Sequence, residues 1–411
     1  MIIFEQMETP IMYECDVLVC GGGIAGIAAA LAAARCGKKV ILTEKQYMLG
    51  GLATAGLVTI YLPLCDGKGH QVSYGIAEEL FRLSISMGAE DSYPENWLDC
   101  DDPKLRTEKD KRFLVQYNAQ LFAMLAEQLL FQENVEILYG SYAVAVDKTE
   151  DKINAVIIEN KSGRQGICAK SIVDATGDGD IVHFVGLPTE IYDIGNSLAA
   201  WYYSHGTQGY KLNMLGFCDV PDERQAEASK VQLHAGKTFS GLDGKDLSEC
   251  MQLSHAAILN HIKRQHKEGK DVIPVTVATI PQIRMSRKLV GEYVMSETDR
   301  FKHVDDSIGM VSDWRQRGPI YEVPFQCLYN KQVKNLIVAG RNVSVDTPMW
   351  DIMRVIPCCA VTGQAAGTAA AMTDDFRKID VCELQQILTQ NKVVLHMSDM
   401  LGENENETFR D

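Results

Sequence analysis

The sequence predicts an α/β fold: a Rossmann-like domain on a parallel sheet, with a smaller α+β domain inserted into it. Three observations carry that expectation. A glycine cluster, Gly21-Gly-Gly23-Ile-Ala-Gly26, separates an apolar run from an alanine-rich one. Two later apolar runs also break on glycine, at Lys170-Ser-Ile-Val-Asp174-Ala-Thr-Gly177 and Asn335-Leu-Ile-Val-Ala-Gly340. Between them, residues 191–319 lose the alanine bias and gain aromatics and histidines, as in Trp201-Tyr-Tyr-Ser-His205.

Taken in order, Asp16–Cys20 reads as a short buried parallel strand. Ile24–Arg35 is a helix that stops at Cys36-Gly37, and Lys39–Thr43 is a second strand ending at Glu44. A smaller cap is expected over 80–110. A helix follows over Leu114–Phe131, then strands around Val135–Val146 and Ile153–Glu159. Val381–Leu395 has helical spacing, and the stretch after Met397 turns acidic and polar. The expected division is therefore a discontinuous cofactor domain, 14–190 with 320–375, a substrate or cap domain, 191–319, and a C-terminal helix and polar tail, 376–411.

Lys and Arg number 40 against 55 Asp and Glu, a net charge of −15. Such acidity argues against nucleic acid or an anionic membrane surface as partner. The twelve cysteines form no Cys-x-x-Cys pair, the pattern of reduced, mostly buried thiols. The first residues lack the basic head of a signal peptide, and Ile24–Ala34 is too short to span a bilayer. A cytoplasmic protein without a membrane partner is the expectation.

Gly21, Gly23 and Gly26 fit G-x-G-x-x-G in the right context, between strand and helix. Gly21 allows the tight turn, Gly23 the approach of a pyrophosphate to the backbone, and Gly26 close packing of helix on sheet. Glu44 can accept hydrogen bonds from ribose hydroxyls and would repel a 2′-phosphate, which disfavours NADP. A β-α-β unit whose glycines serve packing alone is the plainer alternative. Gly50-Gly51-Leu52-Ala53-Thr54 follows Glu44 closely, which NAD dehydrogenases do not require. Pro357 suits the first turn of a helix whose positive end can stabilise negative charge.

Together these blocks resemble a bacterial family of FAD-dependent oxidoreductases within the glutathione-reductase-like FAD superfamily. The likeness touches 14–75, 165–190, 280–300 and 335–375. It implies FAD as cofactor, contacted by Gly21, Gly23, Ile24, Ala25, Gly26, Glu44, Lys45, Gly50, Gly51, Leu52, Ala53, Thr54, Ala143, Ala175, Thr176, Gly177, Gly340, Arg341, Pro357, Cys358 and Cys359. No second G-x-G-x-x-G and no redox cysteine pair accompany the first, so a small organic substrate is expected to exchange hydride with the flavin. The electron acceptor is not written in the sequence.

Gln282-Ile-Arg284-Met-Ser-Arg287 is similar to that family's arginine-rich block. Arg284 and Arg287 can clamp an anionic or oxygen-rich substrate; a structural ion pair or an FAD contact is the alternative. Arg354 can reach flavin or substrate, or pack a domain junction. Asp351 is a candidate base beside Trp350, and His205 a candidate acid/base from the cap; a lone histidine is more often structural. Cys358-Cys359 admits a reactive or flavin-linked thiol, although small buried cysteines are common packing residues. Asp174, Asp178 and Asp180 lack the remaining ligands of a calcium loop, so no metal is read there. Two other classes compete: a dinucleotide-binding heterocycle synthase of the thiazole type without flavin redox, and a non-catalytic flavin-binding electron-transfer subunit.

Overall fold

The computed structural model describes residues 2–3, 6–89, 114–206, 209–216, 222–224, 226, 233 and 235–400. Most of the expected 80–110 cap and residues 401–411 of the polar tail lie outside the described residues.

Strand β1 (Ile11–Cys20) enters the core at Val17, and its last four residues are buried. Helix α1 (Ile24–Arg35) follows, then β2 (Val40–Glu44), a short pair β3 (Ile60–Tyr61) and β4 (Val115–Gln116), with α2 (Ile76–Ile85) between them. Because Val115 pairs with Tyr61 and Asn118 caps Leu121 N at 3.0 Å, helix α3 is Ala119–Gln132, starting later than the sequence suggests. Next come β5 (Glu136–Tyr139), β6 (Tyr142–Thr149), β7 (Lys152–Asn160) and β8 (Gly163–Asp174). Gly140, at φ +57°, breaks the single expected strand into β5 and β6.

The main sheet has seven strands, in order β5-β2-β1-β8-β7-β6, with β16 (Leu336–Val338) on the C-terminal half of β8. β5, β2, β1, β8 and β16 run parallel, whereas β6, β7 and β8 form an antiparallel meander. The long strand β8 serves both: its first half pairs with β7 and its last three residues with β16. This is the parallel, Rossmann-type sheet the glycine motif requires.

After α4 (Asp180–Phe184) and β9 (Thr189–Ile191), a separate antiparallel sheet of order β11-β10-β12 forms from β10 (Ala199–Gly206), β11 (Gly209–Gly216) and β12 (Val272–Val277), backed by α5 (Gly244–Lys267). Strand periodicity sorts β10 in two: Ala200 and Tyr202 pack on Ile258 and Ile262 of α5, and Trp201 and Tyr203 face Leu57, Ala119 and Ala278. β13 (Arg287–Leu289), the hairpin β14 (Ser307–Ser312) and β15 (Ile320–Pro324), and helices α6 (Thr347–Met353), α7 (Ile356–Met372) and α8 (Val381–Gln390) complete the chain.

Small residues explain how α1 and α7 share one face of the sheet. A Cβ on Gly363 or Gly367 would overlap the carbonyls of Ala25 and Ala29. Alanine and glycine thus let two buried helices approach backbone to backbone. Among the described residues no single helix is long and apolar enough to cross a membrane; α6 and α7 pass that test only as a pair, bent by 88°.

Candidate active site

Both glycine runs converge on one cavity of about 470 Å³ at the C-terminal ends of β1, β2, β8 and β16. Gly21 takes φ +105°, and a Cβ there would strike the Ala175 carbonyl. A Cβ on Gly26 would overlap the carbonyl of Gly21, so that glycine sets the helix against the turn. Gly23 differs: it lines the cavity, and a Cβ there would meet nothing within 4 Å. The second run is hydrogen-bonded to the first, Gly50 N donating to Gly22 O at 2.8 Å. Glu44 secures the turn as well, accepting from Gly22 N at 2.7 Å and Gln46 N at 2.8 Å. Burial pushes its pKa up, against those two amides.

The N-termini of α1 and α7 both open onto this cavity, through Ile24, Ala25, Val355 and Ile356. Neither has a side-chain cap. Uncapped amides and two helix dipoles make an anion-binding environment at both ends. A glycine whose Cβ position is open space, beside an uncapped helix N-terminus, is what a pyrophosphate needs. The residues present therefore fit a dinucleotide such as FAD.

Another part of the lining comes from residues between β10 and β13: Trp201, Gly241, Leu247, Thr279, Ile280, Pro281, Ile283 and Arg284. Arg284 is 6% exposed, with its guanidinium carbon 5.2 Å from the Trp201 ring centre. The loop bearing it is held by distant side chains. Asn196 Oδ1 accepts from Arg284 N at 2.8 Å and Met285 N at 3.1 Å, while its amide donates to Met285 O at 2.6 Å. Arg341 NH1 donates to the carbonyls of Ile283 and Arg284 at 2.8 and 3.0 Å. Asn196→Ala would orphan one buried and one part-buried amide and is expected to cost about 2–3 kcal/mol of stability. It should also raise KM while bound FAD changes little. An unchanged KM would mean that the loop keeps its shape without this side chain.

Of the residues the sequence singles out, Gly21, Gly23, Ile24, Ala25, Glu44, Lys45, Gly50, Gly51, Leu52, Ala53, Ala143, Ala175, Thr176, Gly177, Gly340, Arg341, Cys359, Arg284 and Arg354 all line the cavity. Others lie off it. Gly26 and Thr54 act behind it, the Thr54 hydroxyl on the Leu49 carbonyl. Pro357 and Cys358 turn into the helix packing. His205 is exposed on β10, opposite Tyr210 and Ile273. Arg287 is committed to Asp178 O and the Asp180 carboxylate, each at 2.9 Å. Asp351 pairs with Arg354, 2.8 Å from its Nε and 2.5 Å from NH2.

Cys359 reaches the cavity, but burial raises its thiol to about 12 despite Arg341 and Arg354, and it donates to Arg354 O at 3.4 Å. That environment keeps a thiol, not a thiolate. Sequence reasoning missed Asn196 and the lining residues Thr279, Ile280 and Pro281; a lone Asn and a three-residue run carry no local signal.

At the end of β8, beneath the cavity, Asp174 is fully buried and accepts Thr176 Oγ1 at 2.7 Å and Val182 N at 3.0 Å. Burial raises its pKa to about 6, against the opposing pull of the Thr176 hydroxyl. The folded-state value lies above the unfolded one, so this group's contribution is full below the unfolded pKa. It is lost as pH rises through about 6, a decline of ~3 kcal/mol. Asp174→Asn is expected to flatten urea-derived stability between about pH 4 and pH 7. The same slope in the variant would place that titration elsewhere.

A parallel sheet with glycine turns at its strand ends and two uncapped helix N-termini opening onto a shared cavity define a dinucleotide-binding protein of the Rossmann class. The chain matches the family described as FAD dependent oxidoreductase over residues 16–227 and 199–388, and it belongs to that family. FAD is the cofactor that this family's description names. A thioredoxin reductase of Ureaplasma parvum serovar 3 is 36% identical over 72 residues. That stretch is 18% of this chain and spans less than a quarter (23%) of the relative.

Among solved structures, a p-nitrophenol 4-monooxygenase of Pseudomonas putida DLL-E4 is 13% identical over 97% of this chain and 94% of its own, TM-score 0.44. Thermovibrio ammonificans THI4 is 19% identical over 44% of this chain and 66% of its own, TM-score 0.31. Both likenesses are too distant to bear on chemistry.

Proposed function

We propose that the protein transfers a hydride between FAD and a small, polar organic substrate, anionic or oxygen-rich, held between the cofactor cradle and the inserted segment. The observation that carries this reading is Arg284, a buried guanidinium in the cavity wall contributed by that segment. FAD, when bound, supplies the two-electron chemistry. The chain's own residues bind and orient. Arg284, stacked on Trp201, presents a fixed fork to a carboxylate or comparable oxygen pair. Arg354, braced by Asp351, offers a second cationic contact near the α7 N-terminus. Leu247, Ile280 and Ile283 keep the wall apolar, so each charged contact acts in low dielectric. The second half-reaction is assigned to a separate acceptor or donor, since the chain carries a single dinucleotide motif. A cytoplasmic setting belongs to the same proposal, supported by described cysteines that are free thiols.

The test is anaerobic titration of the FAD-loaded protein with hydroxy acids, amino acids and their neutral amides or alcohols. Bleaching of the flavin by acids and not by their neutral counterparts is expected. Bleaching by neutral compounds alone would overturn the anionic-substrate reading.

A further inference from the structure

A second polar cluster lies away from the FAD cavity, where β15, the loop at 303–305 and the segment after α8 meet. Glu322 on β15 is 1% exposed, and its carboxylate accepts from Val304 N at 2.8 Å and Met397 N at 2.9 Å. Two imidazoles close on its Oε2: His396 Nδ1 at 2.8 Å and His303 Nδ1 at 3.5 Å. Ligand atoms of all three residues lie within 4.8 Å of one another, and the two rings are 4.6 Å apart between centres. None of the three lines the cavity described above.

One imidazole would be enough to complete the hydrogen bonding of this carboxylate, yet two aim at the same oxygen. A tetrahedral ion with bonds of about 2.0–2.1 Å has ligand atoms about 3.3 Å apart. His303 and Glu322 already stand at 3.5 Å, and His396 and Glu322, hydrogen-bonded at 2.8 Å, need to part by about half an ångström to admit the ion. The other ring nitrogen of His303, Nε2, lies 3.3 Å from Asp305. Such an outer carboxylate fixes the ring and its tautomer in metal-bound histidines, and the two amides on Glu322 orient that ligand similarly. Two neutral imidazoles and one carboxylate are a zinc-type donor set that leaves a position for water.

We propose that His303, Glu322 and His396 bind one zinc-class divalent cation, which ties the segment around His396 to β15. His303 is 62% exposed in its side chain and gives the ion an entry path. The cation does no redox work, so the site is independent of the proposed hydride transfer.

The experiment uses metal-stripped, FAD-loaded protein, titrated with Zn²⁺ by calorimetry and with Co²⁺ by visible absorption. One equivalent should bind, Co²⁺ should show the intense d–d bands of a low-coordinate site, and Tm should rise with Zn²⁺ concentration. His303→Ala, at an exposed position, should weaken binding by well over 10-fold, and Asp305→Asn by about 10-fold, with FAD content unchanged. His396→Gln is the second ligand variant. Absence of binding, or binding and Tm shifts equal in wild type and both ligand variants, would overturn the proposal; the latter would point to other groups such as the exposed Cys382.

Discussion

Gly23→Val is expected to give a folded protein that has lost its flavin. At Gly23 the backbone has φ −69°, which any L-residue adopts, and a Cβ there contacts no protein atom within 4 Å. The first carbon of a side chain can therefore be added without a clash with the polypeptide. Its methyl groups would occupy the mouth of the α1 N-terminus, where the pyrophosphate is to meet the amides of Ile24 and Ala25. Overpacking costs about 1–3 kcal/mol and lost charge-assisted hydrogen bonds a similar amount, so FAD affinity should fall by about 100-fold or more. Gly26→Val is the contrasting case. Its Cβ would collide with the Gly21 carbonyl in the absence of any ligand, so it should lower Tm of the flavin-free protein as well. Measured together, Tm without FAD and FAD affinity separate the two roles. A Gly23→Val protein that stays yellow would show that the pyrophosphate lies elsewhere.

Arg284→Ala carries the second large effect. On the proposed function, removing this buried guanidinium should lower kcat/KM by about 10- to 100-fold, the loss of a charged hydrogen bond worth ~1.5–3 kcal/mol. FAD content should remain that of wild type, because the cradle is built from β1, β2, β8, β16 and the first turns of α1 and α7. Arg284→Lys should recover little, since an ammonium lacks the planar fork and the stacking on Trp201. The effect should be confined to anionic substrates; a neutral substrate affected equally would make Arg284 a packing residue of the wall. Arg287→Ala, by contrast, should act mainly on stability, because its guanidinium is bound to Asp178 O and the Asp180 carboxylate.

The two arginines three residues apart show where reading the chain alone stops. Residue type and spacing place both in one block and allow either to face a substrate. Which one lines the cavity depends on Asp180, 107 residues from Arg287, and on Asn196, 88 residues from Arg284, whose side-chain oxygen accepts from the Arg284 amide. Cys358 and Cys359 divide in the same manner. They are adjacent in sequence, but one helical step turns the first into packed core and the second toward the cavity. The cluster of His303, Glu322 and His396 is drawn from three separate segments and leaves no local pattern at all.

What the sequence determined by itself was the cradle. Gly21, Gly26 and Gly50 sit where a Cβ would meet backbone or the Thr54 side chain, and two of them hold φ near +100°. The alanines and glycines of α1 and α7 likewise had to be small for two helices to lie in contact. These are short-range steric demands, met by neighbouring residues, and so they are written contiguously. What only the tertiary structure decided was the lining between β10 and β13. Trp201, Thr279, Ile280, Pro281, Ile283 and Arg284 reach the cavity because the pleat of β10 turns Trp201 away from α5 and because Asn196 and Arg341 hold the loop in place. A partner chosen across a hundred residues depends on how sheets and helices stack, and stacking is the sum of many weak contacts that no short stretch of sequence contains.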